Sequence, residues 1–391
     1  MIHKPLMITG LLAIALLPSC RKNGAGGADS GPQDSQQKQE TPEAVRFGAN
    51  VKAIVTKSVG ALDVWNAQPL HIYGLERTEE GLDLTDIFID NAPATAPVTS
   101  SPAESAMSQE IKVYFNSETQ EPYYYGIDNM YDFFGYYVDD ACGETPTPEI
   151  GNGTLSLPFV IDGTQDLMLA ATDKELDILA ASLINGGTEV NKNRLYSAYS
   201  ARRQVRPTLR FQHQLSRFRF VVQSGNRESD SADPIRLTQL LMESETRGTL
   251  IIASNNGQQQ GIVNPGTPAF LPLRLGADMH ELDEENITLS KGENAPHPLD
   301  GSILAIPGRE SYRLRLVFTQ AGYSSEFALE PEIDFSQLVR PDGLDAISAA
   351  RPGEQYTVTL IVYGMEKVQV NVTLEEWVDG GQFSFDQDQE D

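Results

Sequence analysis

Five histidines, 55 carboxylates and two cysteines are the side chains of this 391-residue chain best able to do acid–base, metal or nucleophilic chemistry. The histidines are His3, His71, His213, His280 and His297, and no two of them stand at metal-ligand spacing. Asp139, Asp140 and Glu144 come nearest to a calcium loop, but the alternating oxygen donors of such a loop are missing, so they read as a solvated acidic loop. No Gly-x-Ser-x-Gly elbow and no Gly-rich phosphate loop occurs. His213 lies at an inward position of a strand-like run and reads as a packed, hydrogen-bonded residue rather than a base. With so many acidic residues, carboxylate pairs are unavoidable and identify no glycosidase. The expectation is a protein that is no enzyme, with no cofactor and no bound metal.

Aromatic side chains are distributed less evenly. Tyr114–Val138 holds seven of the 14 tyrosines, together with Phe115, Phe133 and Phe134. One reading is a local aromatic core beneath a long loop. The other is a surface for carbohydrate or protein, because tyrosine supplies large amphipathic contact area with few rotors. On that second reading Tyr123, Tyr124, Tyr125, Tyr136 and Tyr137 form the ligand surface.

The thiol chemistry is at the N-terminus. His3 and Lys4 precede Leu6–Leu17, an almost unbroken apolar run too short for a bilayer core, which takes about 20 apolar residues. That pattern fits a signal peptide of residues 1–20. It closes with Leu17-Pro18-Ser19-Cys20, which resembles the bacterial lipobox, after which the cysteine is acylated and becomes the new N-terminus. Cys20 is the expected lipidation site. Residues 21–45 begin with a Gly/Ser/Gln/Asp-rich stretch that cannot bury enough surface to offset its ordering entropy, and they read as a tether or pro-segment. If Cys20 is a thioether, Cys142 has no intramolecular partner and no disulfide framework forms.

A net charge of −26 excludes nucleic acid as a partner, since phosphate binding needs clustered Lys and Arg. It also disfavours adsorption to anionic lipid, leaving the acyl chain as the membrane anchor.

The elements expected to position these residues are mostly strands. Val45–Val59, Ile111–Phe115, Thr154–Ile161 and Leu167–Ala171 read as extended. Thr172–Leu183 reads as a helix capped by Asp173, with Leu176, Leu179 and Leu183 on one face and Gly186-Gly187 as its stop. In Leu209–Val222 the apolar set moves from Leu209, Phe211, His213 and Leu215 to Phe218, Phe220 and Val222, which predicts a β-bulge near Ser216-Arg217. Tyr312–Phe318 alternates, and Tyr356–Val362 turns through Met365–Lys367 into Val368–Leu374 as a hairpin. Alternation predicts antiparallel sheets with one solvated face. The expected fold is mainly β, two β-sandwich-like domains of antiparallel strands with few helices, spanning residues 46–205 and 206–391.

Four blocks carry a family resemblance. They are Leu209–Val222 (LRFQHQLSRFRFVV), Ile235–Ala253 (IRLTQLLMESETRGTLIIA), Ile303–Phe318 (ILAIPGRESYRLRLVF) and Tyr356–Gly380 (YTVTLIVYGMEKVQVNVTLEEWVDG). In this order they resemble the fimbrillin family, pilus subunits of anaerobic Gram-negative bacteria that travel as lipoproteins. The resemblance implies cleavage after an arginine, here Arg46 ahead of Phe47, and filling of the vacated groove by a neighbouring subunit's strand. Phe47, Val51 and Val55 would then follow the cut as the first remaining strand. Phe383 and Phe385 offer alternating anchors in the tail, ahead of the acidic Asp386–Asp391. A subunit that accepts a strand without donating one would be a tip or accessory component, and one that keeps its lipid a base anchor. The implied partners are other pilus subunits, the outer membrane through Cys20, and a host or bacterial surface ligand. The implied location is the outer membrane or fimbrium. The alternative is a monomeric surface lipoprotein that binds glycan or protein.

Overall fold

A computed structural model describes residues 43–51, 69–95, 109–113, 123–139, 147–184, 186, 190–225, 234–276, 278–285, 287–290, 295–320, 325–338, 347–365 and 367–375. Cys20, Val55, Cys142, Trp377 and the Phe383–Asp391 tail lie outside them.

The chain begins with β1 (Phe47–Val51), β2 (Leu70–Thr78), β3 (Gly81–Thr95), β4 (Gln109–Val113) and β5 (Tyr131–Val138). There follow β6 (Glu149–Gly151), β7 (Thr154–Val160), β8 (Leu167–Thr172), helix α1 (Lys174–Ile184), helix α2 (Ala198–Ala201) and β9 (Thr208–His213). The second half opens with β10 (Ser216–Ser224), β11 (Ile235–Glu245), β12 (Arg247–Ser254), β13 (Gly261–Val263), β14 (Pro268–Pro272), β15 (Arg274–Leu275) and β16 (His280–Glu281). It ends with β17 (Thr288–Leu289), β18 (His297–Ala305), β19 (Ser311–Gln320), β20 (Phe327–Leu329), β21 (Glu332–Asp334), β22 (Gln355–Tyr363) and β23 (Lys367–Glu375).

Seven strands close a barrel in the order β1-β4-β3-β2-β5-β8-β9. Its interior holds Phe47, Leu70, Ile72, Phe133, Met168, Leu209 and Phe211. Because strand side chains alternate, the same strands present Tyr73, Leu75, Tyr136, Leu167 and Leu169 to the opposite face. There they meet Leu155, Leu157, Phe159, Leu250 and Ile252 of a four-stranded sheet ordered β13-β12-β7-β6. Two further sheets, β16-β15-β18-β10-β22-β23 and β14-β11-β19-β20, enclose a third core around Phe218, Tyr312, Phe318, Phe335 and Tyr356. The fold is thus mainly β and mostly antiparallel. Among the described residues two pairings are parallel, β1 with β9 and β10 with β22.

Period-2 alternation placed the strongest strands. Tyr312, Leu314, Leu316 and Phe318 are buried while Arg313 and Arg315 are exposed. Tyr356, Val358, Leu360 and Val362 are buried too, and β22 pairs with β23 from Gln355↔Glu375 to Tyr363↔Lys367, the expected hairpin.

The register change after His213 has a different cause from the bulge expected at Ser216-Arg217. β9 ends at His213 inside the barrel, and β10 starts at Ser216 inside the sandwich. The apolar set changes face because the chain leaves one core for another. Leu215 sits at the crossing, fully buried, its carbonyl accepting from the Gly353 N–H at 2.9 Å. An irregularity does occur in β10, farther along, between Arg219 and Val221 opposite β18.

Residue 206 does not separate the sheets. β9 belongs to the barrel, and β12, from the second half, pairs with β7 from the first. Residues just before that expected boundary are core residues too: Leu195, Tyr196, Ser200 and Val205 are buried.

One surface loop joins β15 to β16 through charge. His280 bonds Asp278 through Nδ1 at 2.7 Å and Glu285 through Nε2 at 2.5 Å. Arg274 pairs with Glu281 at 2.6 Å, and Arg236 with Asp283 at 3.1 Å. The hydrogen bond to Asp278, then that to Glu285, raises the His280 pKa above its usual 6.5. A group whose folded pKa is raised contributes stability that is fully present below its unfolded pKa and is lost as pH rises through the folded one. The imidazole should therefore titrate above 6.5 by NMR, and the loop's contribution should fade across that interval. The double variant Asp278→Asn, Glu285→Gln should return the midpoint to about 6.5. An unchanged midpoint in that variant would mean the two carboxylates do not hold the proton.

Candidate maturation and assembly site

Arg46 stands between two buried neighbours. Val45 is 7% and Phe47 2% exposed, while Arg46 itself is exposed. In an extended chain alternate side chains point to opposite faces, so apolar residues on either side of Arg46 turn its guanidinium to solvent.

The two flanks are held differently. Downstream, β1 is threaded between β4 and β9, with Phe47 opposite Ile111 and Ala49 beside Leu209. The Phe47 ring meets Phe133 edge-to-face at 4.9 Å. Upstream, Glu43–Val45 lies antiparallel on Tyr123–Tyr125. The Val45 N–H donates to the Tyr123 carbonyl at 2.8 Å, the Tyr125 N–H to the Glu43 carbonyl at 2.9 Å, and Ala44 sits opposite Tyr124. Glu43 pairs with Arg202 at 3.4 Å. Beside this ladder is a cavity of about 170 Å³ lined by residues that include Glu43, Arg46, Tyr125, Gln204 and Arg206. Among the described residues the buried Tyr125 hydroxyl has no hydrogen-bond partner, and burial raises its pKa.

The five tyrosines expected at a ligand surface separate. Tyr124 is 50% exposed and Tyr123 half-buried, edge-to-face with Phe88 at 5.8 Å. Tyr125, Tyr136 and Tyr137 are buried, at 5%, 1% and 2%. Tyr136 stacks on His71 at 4.7 Å and donates to Asn91 Oδ1 at 2.8 Å. Buried rings offer a ligand no area, which corrects the expectation for these three. Period-2 alternation in Tyr131–Val138 was the available signal, and it was masked because both faces of β5 are covered, one by the barrel interior and one by the four-stranded sheet.

His213, at the end of β9, bonds the fully buried Asp166 at 2.7 Å, and Asp166 also accepts from the Leu167 N–H at 2.8 Å. The pair ties β8 to β9. Asp139 is buried, while Asp140 and Glu144 fall outside the described residues.

What the sequence reading missed is Asp177. It is 3% exposed on α1, accepts from the Tyr196 hydroxyl at 2.7 Å and from the Thr208 N–H at 2.9 Å, and burial raises its pKa. An acidic residue in the first turn of a helix ordinarily reads as solvated, and no local signal distinguishes this one.

A closed barrel and a pair of packed sheets, with the first barrel strand directly after an exposed arginine, define a mainly β protein with several separate apolar cores. The sequence profile of the fimbrillin-like family matches residues 63–377. The chain belongs to that family. It is a fimbrial protein, a pilus subunit or pilus-associated protein of the cell surface, structural in role and made to contact other pilus subunits. No curated protein matches its sequence. Among solved structures it is similar to a fimbrial protein from Bacteroides vulgatus, at 12% identity and a TM-score of 0.47 over 85% of this chain and 99% of that one. It is also similar to the fimbrial anchor protein Mfa2 from Porphyromonas gingivalis, at 12% identity and a TM-score of 0.35 over 85% and 99% of the two chains.

Proposed function

We propose that the chain is exported as a lipoprotein acylated at Cys20, cut between Arg46 and Phe47, and built into a fimbrium by strand exchange at the place the cut vacates. The observation that carries this reading is the asymmetry about Arg46: β1 is paired on both edges, whereas among the described residues Glu43–Val45 is held along one edge. Cutting there leaves the barrel strand in place and frees Glu43–Val45, whose backbone now pairs with the Tyr123 carbonyl and the Tyr125 N–H. Unpaired strand groups beside an apolar vacancy are a template for an added strand. A neighbour's segment that pairs with Tyr123–Tyr125 and fills the place of Val45 restores both backbone bonds.

The experiment is to read the mature N-terminus by mass spectrometry from isolated fimbriae and from outer membranes. Phe47 is expected in the fimbrial fraction, and acylated Cys20 in the membrane-bound precursor. Cys20→Ala should move the precursor out of the detergent phase in phase separation. Acylated Cys20 on every assembled molecule would overturn the maturation step and leave a lipid-tethered binding protein. Unchanged detergent partitioning of Cys20→Ala would overturn the lipid.

A further inference from the structure

The fixed wall beside Glu43–Val45 is basic. From Val190 to Arg206 the chain carries Lys192, Arg194, Arg202, Arg203 and Arg206 and no Asp or Glu, although acidic residues outnumber basic ones by 55 to 29 overall. Lys192, Arg194 and Arg206 are exposed and, among the described residues, make no ion pair. Arg194 and Arg203 both lie over the Tyr199 ring, at 4.6 and 3.7 Å from its centre, and Arg203 donates to the Tyr199 carbonyl at 3.0 Å. A ring contact fixes a guanidinium without neutralising its charge. The segment that now lies on this wall answers it with a carboxylate: Glu43 pairs with Arg202 and shares a cavity with Gln204 and Arg206. Two residues on, Val45 is buried in the barrel core.

We propose, resting on the strand-exchange reading above, that the strand replacing Glu43–Val45 carries Asp or Glu two residues ahead of an aliphatic residue. Its carboxylate takes the place of Glu43 beside Arg202 and Arg206, and its aliphatic side chain takes the place of Val45. The present occupant shows what the site accepts. The two residues that set the pattern also set the register, because the Glu43 carbonyl accepts from the Tyr125 N–H and the Val45 N–H donates to the Tyr123 carbonyl. A strand bound antiparallel to Tyr123–Tyr125 with those two bonds remade puts its own acid and its own aliphatic at the same two positions.

Charge makes the site selective. The net charge of −26 repels an acidic strand at long range, and the cations of residues 190–206 reverse that repulsion locally. Lysine in the Glu43 place would set like charges against Arg202 and Arg206. A neutral residue there would leave Arg202 without the carboxylate that Glu43 now supplies. An anionic headgroup or a sugar acid is the poorer fit, since neither can take the two backbone bonds at Tyr123 and Tyr125.

Photo-cross-linking within isolated fimbriae tests this. Tyr124 is 50% exposed and stands opposite Ala44, so Tyr124→p-benzoylphenylalanine places a reactive group beside the incoming strand. The captured segment, sequenced by mass spectrometry, should show Asp or Glu two residues before Val, Ile or Leu. A captured strand without that acid would overturn the inference and leave strand exchange standing. No captured strand on molecules that begin at Phe47 would overturn strand exchange, and the inference with it. Reversing the wall charge is the second arm. Arg202→Glu with Arg206→Glu should still mature to Phe47 yet form SDS-resistant ladders about tenfold less efficiently or worse. Arg206→Glu alone, at an exposed position, should show the same direction should the double variant fold poorly. Ladders at the unmodified level from matured molecules of either variant would show that the arginines do not read the partner.

Discussion

Arg46→Ala is expected to abolish SDS-resistant ladders. Among the described residues, the segment before the cut is held by two backbone hydrogen bonds, the Val45 side chain and the Glu43–Arg202 pair. Backbone bonds contribute about 1 kcal/mol each, a buried valine ~1.5–3 kcal/mol, and a partly exposed ion pair less than about 1 kcal/mol. While the chain is intact, those few kcal/mol suffice because the segment is covalently tethered. Once cut, it must also meet an association cost of at least about 4 kcal/mol, so it leaves. The site then opens to a partner strand. Without the arginine a trypsin-like maturation protease has no side chain to recognise, and Glu43–Val45 keeps its place. Arg46→Lys should retain partial assembly only if that protease accepts lysine. Ladders from Arg46→Ala at the unmodified level would discard the maturation reading, whatever the N-terminus proved to be. The purified Arg46→Ala protein should melt where the uncut parent melts, since Arg46 is exposed.

The second large effect is on stability. Asp177→Ala should cost roughly 2–5 kcal/mol, because it leaves the buried Tyr196 hydroxyl and the Thr208 N–H without their acceptor. Tyr196 compounds the loss. Its backbone sits at φ +52°, a conformation that disfavours a bulky side chain, and the hydroxyl bond helps hold it there. Asp177→Asn keeps one carbonyl acceptor and should cost less. The two also differ in pH dependence. Burial raises the folded-state pKa of Asp177 above 3.8, so the folded state binds the proton more tightly than the unfolded state. Stability then falls as pH rises from about 3.8 through the folded pKa, and Asp177→Asn should lack that slope. Chemical denaturation at several pH values measures both. A loss below about 1 kcal/mol in Asp177→Ala would show that the bonds to Tyr196 and Thr208 do not fix the helix.

Sequence by itself determined the elements. Alternation in Tyr312–Phe318 and in Tyr356–Leu374 located strands, because a half-buried strand must present one face to water. Asp173 and Gly186 bounded α1 through capping that acts within a few residues. Four ordered blocks in the second half pointed to the family, which the match over residues 63–377 bears out.

Tertiary structure decided which faces are covered. Periodicity shows that one side of a helix differs from the other, but not which side meets a neighbour. The leucines of α1 point outward because Asp177 bonds a strand 31 residues away. Tyr136 and Tyr137 are buried because the four-stranded sheet covers one side of the barrel strand that the barrel interior covers on the other. The face change after His213 reads locally as a bulge, yet it marks passage between two cores assembled from strands far apart in sequence. Each of these outcomes depends on partners distant along the chain, and a pattern of residue types carries no information about where in space such partners will lie.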